Sequence, residues 1–342
     1  RGTVKSLRLH AYEYAYVKTR SDHNWHGIQS GWDIKRMLGT VPVEEDGSVI
    51  FKAPANTPIS IQPLDKDGVA IQWMRSWVTG QPGEVVSCIG CHEDQNQIAI
   101  PKRVIASQKA PSALTLPEGG TRSFTFDLEV QPILDRACIA CHNGEGKAFD
   151  LRGGKKDKLG YGTSYLNLHP YVHRQGGEGD MVVLQPYEYH PNTSELVRLL
   201  KKGHHNVKLT DKEWKTLYNW IDYNAPDKGY FNANVLTDLP YKGFDQIKRR
   251  KELTDKYANG AGVDWKKEIA DYADYLKKQG PITPVMPEKA APVKEKTLKV
   301  KGWPFGADRI KKMLAKEKET RKVVEIAPGV KVNFVRIPAG EF

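Results

Sequence analysis

Two pentapeptides constrain this chain more than anything else in it: Cys88-Ile-Gly-Cys91-His92 and Cys138-Ile-Ala-Cys141-His142. Together they use all four cysteines of the 342-residue sequence. Two thiols three residues apart project from one side of a helical turn and can form thioethers with the two vinyl groups of a haem; the histidine that follows reaches the iron. The pattern therefore predicts two covalently bound c-type haems, on Cys88, Cys91 and His92 and on Cys138, Cys141 and His142. Two other chemistries use a Cys-x-x-Cys step. Zinc ribbons separate their two knuckles by roughly 15–20 residues, far less than the stretch from Cys91 to Cys138. Thioredoxin-like dithiols expect a βαβ context and leave the histidine after each motif unexplained.

The length favours two compact modules plus connecting segments. No apolar run approaches the length of a membrane span. Covalent haem attachment occurs outside the bacterial cytoplasmic membrane, so the expected location is periplasmic or secreted. The chain starts at Arg1 without a methionine, as a processed product or an excised fragment would. Its net charge of +11, from 52 basic and 41 acidic residues, suits an acidic redox partner protein through long-range steering. No nucleic-acid motif accompanies that charge, and much of it reads as a solvated basic face and tail.

The expected fold class is multidomain α+β: a small β-sandwich-like domain carrying one haem, an α-helical cytochrome c domain, and a helical, Pro/Lys-rich C-terminal extension. Residues 1–117 read as the β-rich part. Ser6 to Val17 alternates in polarity, Val41 to Phe51 looks like a hairpin turning at Asp46-Gly47, and strands follow at Ile59 to Leu64 and Val69 to Val78, with a turn at Asp67-Gly68. The first pentapeptide comes just after the Pro82-Gly83-Glu84 turn. A Pro/Gly/Ser-rich connector from Pro111 to Gly120 marks the boundary. Residues 118–230 read as the cytochrome c domain. Pro132 opens the helix that the second pentapeptide closes, Leu196, Leu199 and Leu200 mark another helix stopped by Gly203, and Thr210-Asp-Lys-Glu213 forms a capping box ahead of Trp214. Residues 231–280 read as a helical extension, 281–322 as a linker rich in proline and lysine, and 323–342 as the start of a further domain that breaks off at Phe342.

His92 and His142 take the fifth position at each iron, which leaves the sixth to assign. The loop Lys202-Gly203-His204-His205-Asn206 lies just before the last cytochrome helix and offers two histidines and no methionine. A bis-histidine second haem follows, with His204 slightly ahead of His205 and a reduction potential below that of a His/Met site. His190 and His169 are reserves that read first as hydrogen-bonded pocket or turn residues, and Met181 reads as packing. For the first haem, Met37 and Met74 read as core. His23 and His26 sit in an aromatic, polar loop that could fold over it, and an open or water-bound iron is an equal alternative.

The run Leu38-Gly-Thr-Val-Pro-Val-Glu-Glu-Asp-Gly-Ser-Val, continued through Pro54 to Asp65, Met74-Arg-Ser76 and Pro82-Gly-Glu84 to Cys88-Ile-Gly-Cys-His-Glu93, resembles the middle domain of hydrazine synthase alpha-subunit-like proteins. Thr193 to His205, with Trp220-Ile-Asp-Tyr-Asn-Ala-Pro226, resembles their cytochrome c module. The resemblance covers roughly residues 1–230 and implies a β-propeller ahead of the middle domain in many members. It also implies, for the enzyme itself, a tyrosine four residues past the first motif histidine as iron ligand, with that histidine on zinc. Here that position is Asn96, which returns His92 to ordinary ligation and weighs against hydrazine chemistry. Val323 to Phe342, ending Val335-Arg-Ile-Pro-Ala-Gly-Glu-Phe, looks like the opening strands of the formylglycine-generating enzyme (sulfatase-modifying factor) fold, whose downstream body is a candidate contact.

Three functions fit these readings. The first is a dihaem c-type cytochrome unit that transfers electrons. The second is a haem redox enzyme, hydrazine synthase alpha-like in build, whose open first haem acts on a small nitrogen- or oxygen-containing substrate. The third is a scaffold or sensor regulating the sulfatase-modifying-factor-like domain, which rests on domain company alone.

Overall fold

The computed structural model describes residues 2–13, 27–28, 34–88, 103–146, 148–158, 160–176, 184–229, 252–253, 255–257, 264–288, 306–315, 321–327 and 330–335. The expectations placed on His23, His26, Cys91, His92, Asn96 and Met181 lie outside these residues. The chain divides into two compact units, Arg1–Lys289 and Ala290–Phe342.

The first unit is mixed α+β. Its antiparallel sheet contains β1 (Ser6–Glu13), β2 (Ile34–Pro42), β3 (Ile59–Leu64) and the short β4 (Arg122–Ser123), in the order β3-β1-β2-β4. Alternation along β1 sends two different chemistries to the two faces of the sheet. Leu9 and Ala11 are buried on one face with Leu38, Val41 and Ile59, and Val49, Phe51, Val78 and Leu114 pack over them. The other face carries Arg8 and His10, which are buried too.

The expected sandwich takes a different form: among the described residues of the first unit one sheet is present, and irregular segments provide the layer over it. The segment after Val69 meets β3 through single bridges, Ala70 to Leu64 and Val78 to Ile59, and is irregular between them. Ile71 N–H donates to the Pro63 carbonyl, the Ile71 carbonyl accepts from Tyr187 N–H at 2.8 Å, and Trp73 N–H is taken by the Gln72 side chain. The Asp46-Gly47 turn forms as expected, with Glu44 N–H bonded to the Ser48 carbonyl, but Phe51 then makes a single parallel bridge to Ser112.

The helical part comprises α1 (Phe126–Glu129), α2 (Gln131–Ala137), α3 (Thr163–Leu168), α4 (Glu195–Lys201) and α5 (Asp211–Asp222). Each start or stop has a local cause. Pro132 sits in the first turn of α2, Gly203 takes the left-handed conformation (φ +87°) that ends α4, and Thr210 and Glu213 close a reciprocal capping box on α5. Phe126, Tyr165 and Trp220, all fully buried, form the centre of the core, with Phe126 5.3 Å from each of the other two rings. Trp220 Nε1 and the Tyr165 hydroxyl satisfy themselves on the carbonyls of Pro226 and Ala225, which pins the turn after α5.

Sheet and helices are joined by a buried polar seam. Arg8 of β1 donates to Asp222 at the end of α5 (3.0 Å), to Asn219 (2.6 Å), to Gln62 of β3 and to the Gly68 carbonyl. Asp222 also accepts from Ala70 N–H, and Gln62 donates to the Asp222 carbonyl. The residues after the expected boundary near 117 thus return to the sheet through β4, and both regions lie within one compact unit.

A further helix, α6 (Trp265–Lys278), packs on β4. Tyr272 donates to Glu129, the Arg122 guanidinium lies 3.5 Å from the Tyr272 ring centre, and Glu268 takes a two-pronged bond from Arg36. Gly119 (φ +76°) lies under that helix, where a Cβ would stand 2.6 Å from the Tyr272 ring. In the second unit, α7 (Ala307–Leu314) is followed by β5 (Arg321–Ala327) and β6 (Val330–Val335), an antiparallel pair. Among the described residues no helix is long and apolar enough to cross a membrane.

Candidate haem site

The second pentapeptide completes α2. Cys138 is its C-terminal cap, bonded to the Leu134 carbonyl, and both Cys141 and His142 fold their N–H groups back onto the Cys138 carbonyl. One tight turn therefore carries both thiols and the histidine. Cys138 is half-buried against the core and Cys141 is exposed. Burial pushes the Cys138 thiol up to about 12, the reverse of the depressed value that marks a reactive dithiol.

The His142 ring is held from behind. Its Nδ1 lies 3.1 Å from the Phe149 carbonyl, and a carbonyl can only accept, so Nδ1 carries the proton and Nε2 presents its lone pair. Leu151 N–H closes the same loop on the His142 carbonyl, and the Phe149 ring packs 4.7 Å from the imidazole.

His204 stands opposite, its ring centre 6.1 Å from that of His142. Two imidazoles sharing one metal, each about 2 Å from it with about 1 Å more to the ring centre, stand roughly 6 Å apart. The arrangement therefore fits a single metal between them. Burial, with the neighbouring His205 and His142, holds the His204 pKa below the ordinary histidine value, which keeps the ring neutral and able to ligate. His205 has a left-handed backbone (φ +45°), is exposed, and lies edge-on to His204 at 4.6 Å. Phe149, which packs on His142, stacks on Tyr171 at 5.5 Å, and both rings are half-exposed. Half-exposed aromatic rings beside the histidine suit a flat apolar ring system.

The reserve histidines have other partners. His169 accepts from Arg174 at 2.6 Å, and burial with that guanidinium brings its pKa down to about 4. His190 caps a short turn through Asn192 N–H, and its Nε2 lies 3.4 Å from Asp65. Met37 packs on the helical core, and the Met74 sulfur accepts from Ile61 N–H. At the first pentapeptide, Cys88 ends a run, 81–88, in which every residue is exposed. Among the described residues no group of three or more His, Cys, Asp or Glu stands close enough to hold a metal. A groove of about 640 Å³ beside α2, lined by Asp127, Gln131, Asp135, Ile139, Arg152 and Pro284 among others, is separate from the facing histidines.

Sequence reasoning missed two parts of this site. The Phe149 carbonyl that orients His142 is a backbone group and leaves no residue signature. Arg136 and Glu213, which tie α2 to α5, lie too far apart in sequence to pair by inspection.

Residues 2–93 match the family model described as the hydrazine synthase alpha subunit middle domain. Among solved structures, Kuenenia stuttgartiensis hydrazine synthase is similar at a TM-score of 0.50 and 19% identity, over 67% of this chain and 40% of that one. The chain thus spans less than half the length of the solved chain it resembles. No curated protein matches. Residues 2–93 are thus similar to a hydrazine synthase alpha middle domain, and the mixed α+β fold is like that of hydrazine synthase.

Proposed function

We propose that the chain is a dihaem c-type cytochrome unit that transfers electrons in the periplasm or outside the cell. One haem is held by Cys88, Cys91 and His92, and the other by Cys138, Cys141, His142 and His204. The opposition of His142 and His204 at 6.1 Å, with Nδ1 of His142 already committed to Phe149, is the observation that carries this reading. A haem so held supplies reversible one-electron chemistry at a closed iron. The chain's own residues do the rest. The two thiols would anchor the ring through thioethers, the Phe149 carbonyl holds the proton of His142 on Nδ1 and so leaves Nε2 for the iron, and the half-exposed rings of Phe149 and Tyr171 would pack beside the group. The acidic redox partner inferred from the basic charge belongs to the same proposal.

The test is the intact mass of the protein purified from a host that matures c-type cytochromes, with its spectrum after reduction. Two haems should be bound covalently, one lost on changing Cys138 and Cys141 to serine and the other on changing Cys88 and Cys91. A mass without haem, or with only one, contradicts the proposal.

The match of residues 2–93 to the hydrazine synthase alpha middle domain favours a second reading, in which an open first iron binds a small nitrogen or oxygen compound. Carbon monoxide separates the two readings: a ferrous spectrum it leaves unperturbed rules out the open site.

A further inference from the structure

His142 and His204 come from separate parts of the chain, and the backbone N–H groups that follow His204 bond only within their own loop. Asn206 N–H returns to the Gly203 carbonyl and Val207 N–H to that of His204. Something else must set how far this loop stands from the pentapeptide. Arg136, two residues before Cys138, is placed to do so. Its guanidinium grips Glu213 with two prongs, Nε to Oε1 and Nη2 to Oε2 at 2.5 Å, and Nη2 also donates to the Lys208 carbonyl at 3.0 Å. The same Glu213 carboxylate accepts from Thr210 N–H at 2.7 Å. Burial works to raise its pKa, but Arg136 and Thr210 outweigh this and hold it below the usual range. One arginine thus fixes both the end of the histidine loop and the start of α5 to the helix that carries the pentapeptide.

The backbone of Arg136 is used as well. Its carbonyl accepts from Val285 N–H at 2.7 Å, and three residues further on the Glu288 carbonyl accepts from Asn206 Nδ2 at 3.1 Å. The segment 281–288, stiffened by Pro281, Pro284 and Pro287, therefore runs from the pentapeptide helix to the histidine loop. Val285 and Met286 leave 48% and 67% of their surface exposed, so burial is not what holds this strap in place.

We propose that Arg136 is a positioning residue for the second iron: with the strap 281–288 it locks the His204 loop against the pentapeptide helix and keeps the sixth position closed to outside ligands. This rests on the bis-histidine reading above. A bidentate guanidinium–carboxylate fork suits the role because it fixes orientation as well as distance. The pair is partly buried, with 28% and 14% of the two side chains exposed, so its loss should also lower the melting temperature, and the reading that marks a positioning role is the one at the iron.

The experiment measures carbon monoxide binding to the ferrous full-length protein, alongside the low-spin signal of the ferric form, as differences from the unsubstituted chain. Arg136→Gln should raise carbon monoxide affinity at the second site on the order of tenfold, the scale on which groups that orient a metal ligand act. Arg136→Lys should recover part of the closure. Val285→Pro, which removes the strap's N–H to the Arg136 carbonyl and leaves Arg136 and Glu213 in place, should act in the same direction with smaller effect and serves if Arg136→Gln does not fold. Arg152→Gln, which breaks an exposed pair with Asp150, should change nothing. If His204→Ala opens the second iron while folded Arg136→Gln and Val285→Pro leave it closed, the positioning role falls and the ligand reading stands. If His204→Ala leaves the iron low-spin and closed, both fall.

Discussion

The two pentapeptides have nearly the same sequence, yet their first cysteines, Cys138 and Cys88, have very different surroundings. Cys138 caps a helix whose inner face belongs to the larger core among the described residues, and the motif's histidine is oriented by the Phe149 carbonyl with the His204 ring 6.1 Å away. Cys88 ends a run of exposed residues that includes Val85 at 88% and Val86 at 48%. The difference teaches that nearly the same motif can stand in quite different packing. What an iron can do next depends on the neighbours the fold supplies.

The largest effect expected from this contrast is on the core behind the second motif. Trp220→Ala should cost about 3–5 kcal/mol and loosen the second haem, whereas Val86→Ser, beside the first, should stay within about 0.5 kcal/mol; urea titrations of the two variants read both. Equal losses would erase the distinction. Close behind comes the seam that joins the two neighbourhoods. Asp222→Ala leaves the Arg8 guanidinium buried without its carboxylate and should cost about 3–5 kcal/mol, measured the same way.

Smaller, and dependent on pH, is the contribution of Asp227, next to the turn that ends α5. Burial raises its pKa to about 7 against the opposing pull of Lys228. Below pH 4 the carboxyl is protonated in both folded and unfolded chains and costs nothing. Between pH 4 and 7 the unfolded chain ionises first, so stability falls as pH rises, and above 7 the full penalty applies. Asp227→Asn should therefore stabilise the protein at pH 8 by up to about 4 kcal/mol and leave it unchanged at pH 4, as thermal melts at the two values would show. The smallest effect is at the capping box: Thr210→Ala should cost about 1 kcal/mol, visible as a modest fall in melting temperature.

Local signals were legible where one stretch of sequence settles the geometry. Pro132, Gly203 and the Thr210–Glu213 pair mark their helix ends, and the two histidines before α5 mark the loop that faces His142. Features made by distant partners were not. Arg8 is a charged residue in a strand, and its reason, Asp222, lies 214 positions away. β4 has two residues and follows a Pro/Gly-rich connector, so no periodicity announces it. The choice between His204 and His205 is a three-dimensional one: the His204 ring stands 6.1 Å from that of His142, while His205, left-handed in backbone, lies edge-on to His204.

That choice is also where the account is most exposed. The decisive measurement is the spin state of the second haem, and its reaction with carbon monoxide, in two single variants. His204→Ala should turn it high-spin and open to carbon monoxide, while His205→Ala should leave it low-spin and closed. The reverse pattern, or a second haem that stays low-spin in both, would contradict the pairing of His142 with His204.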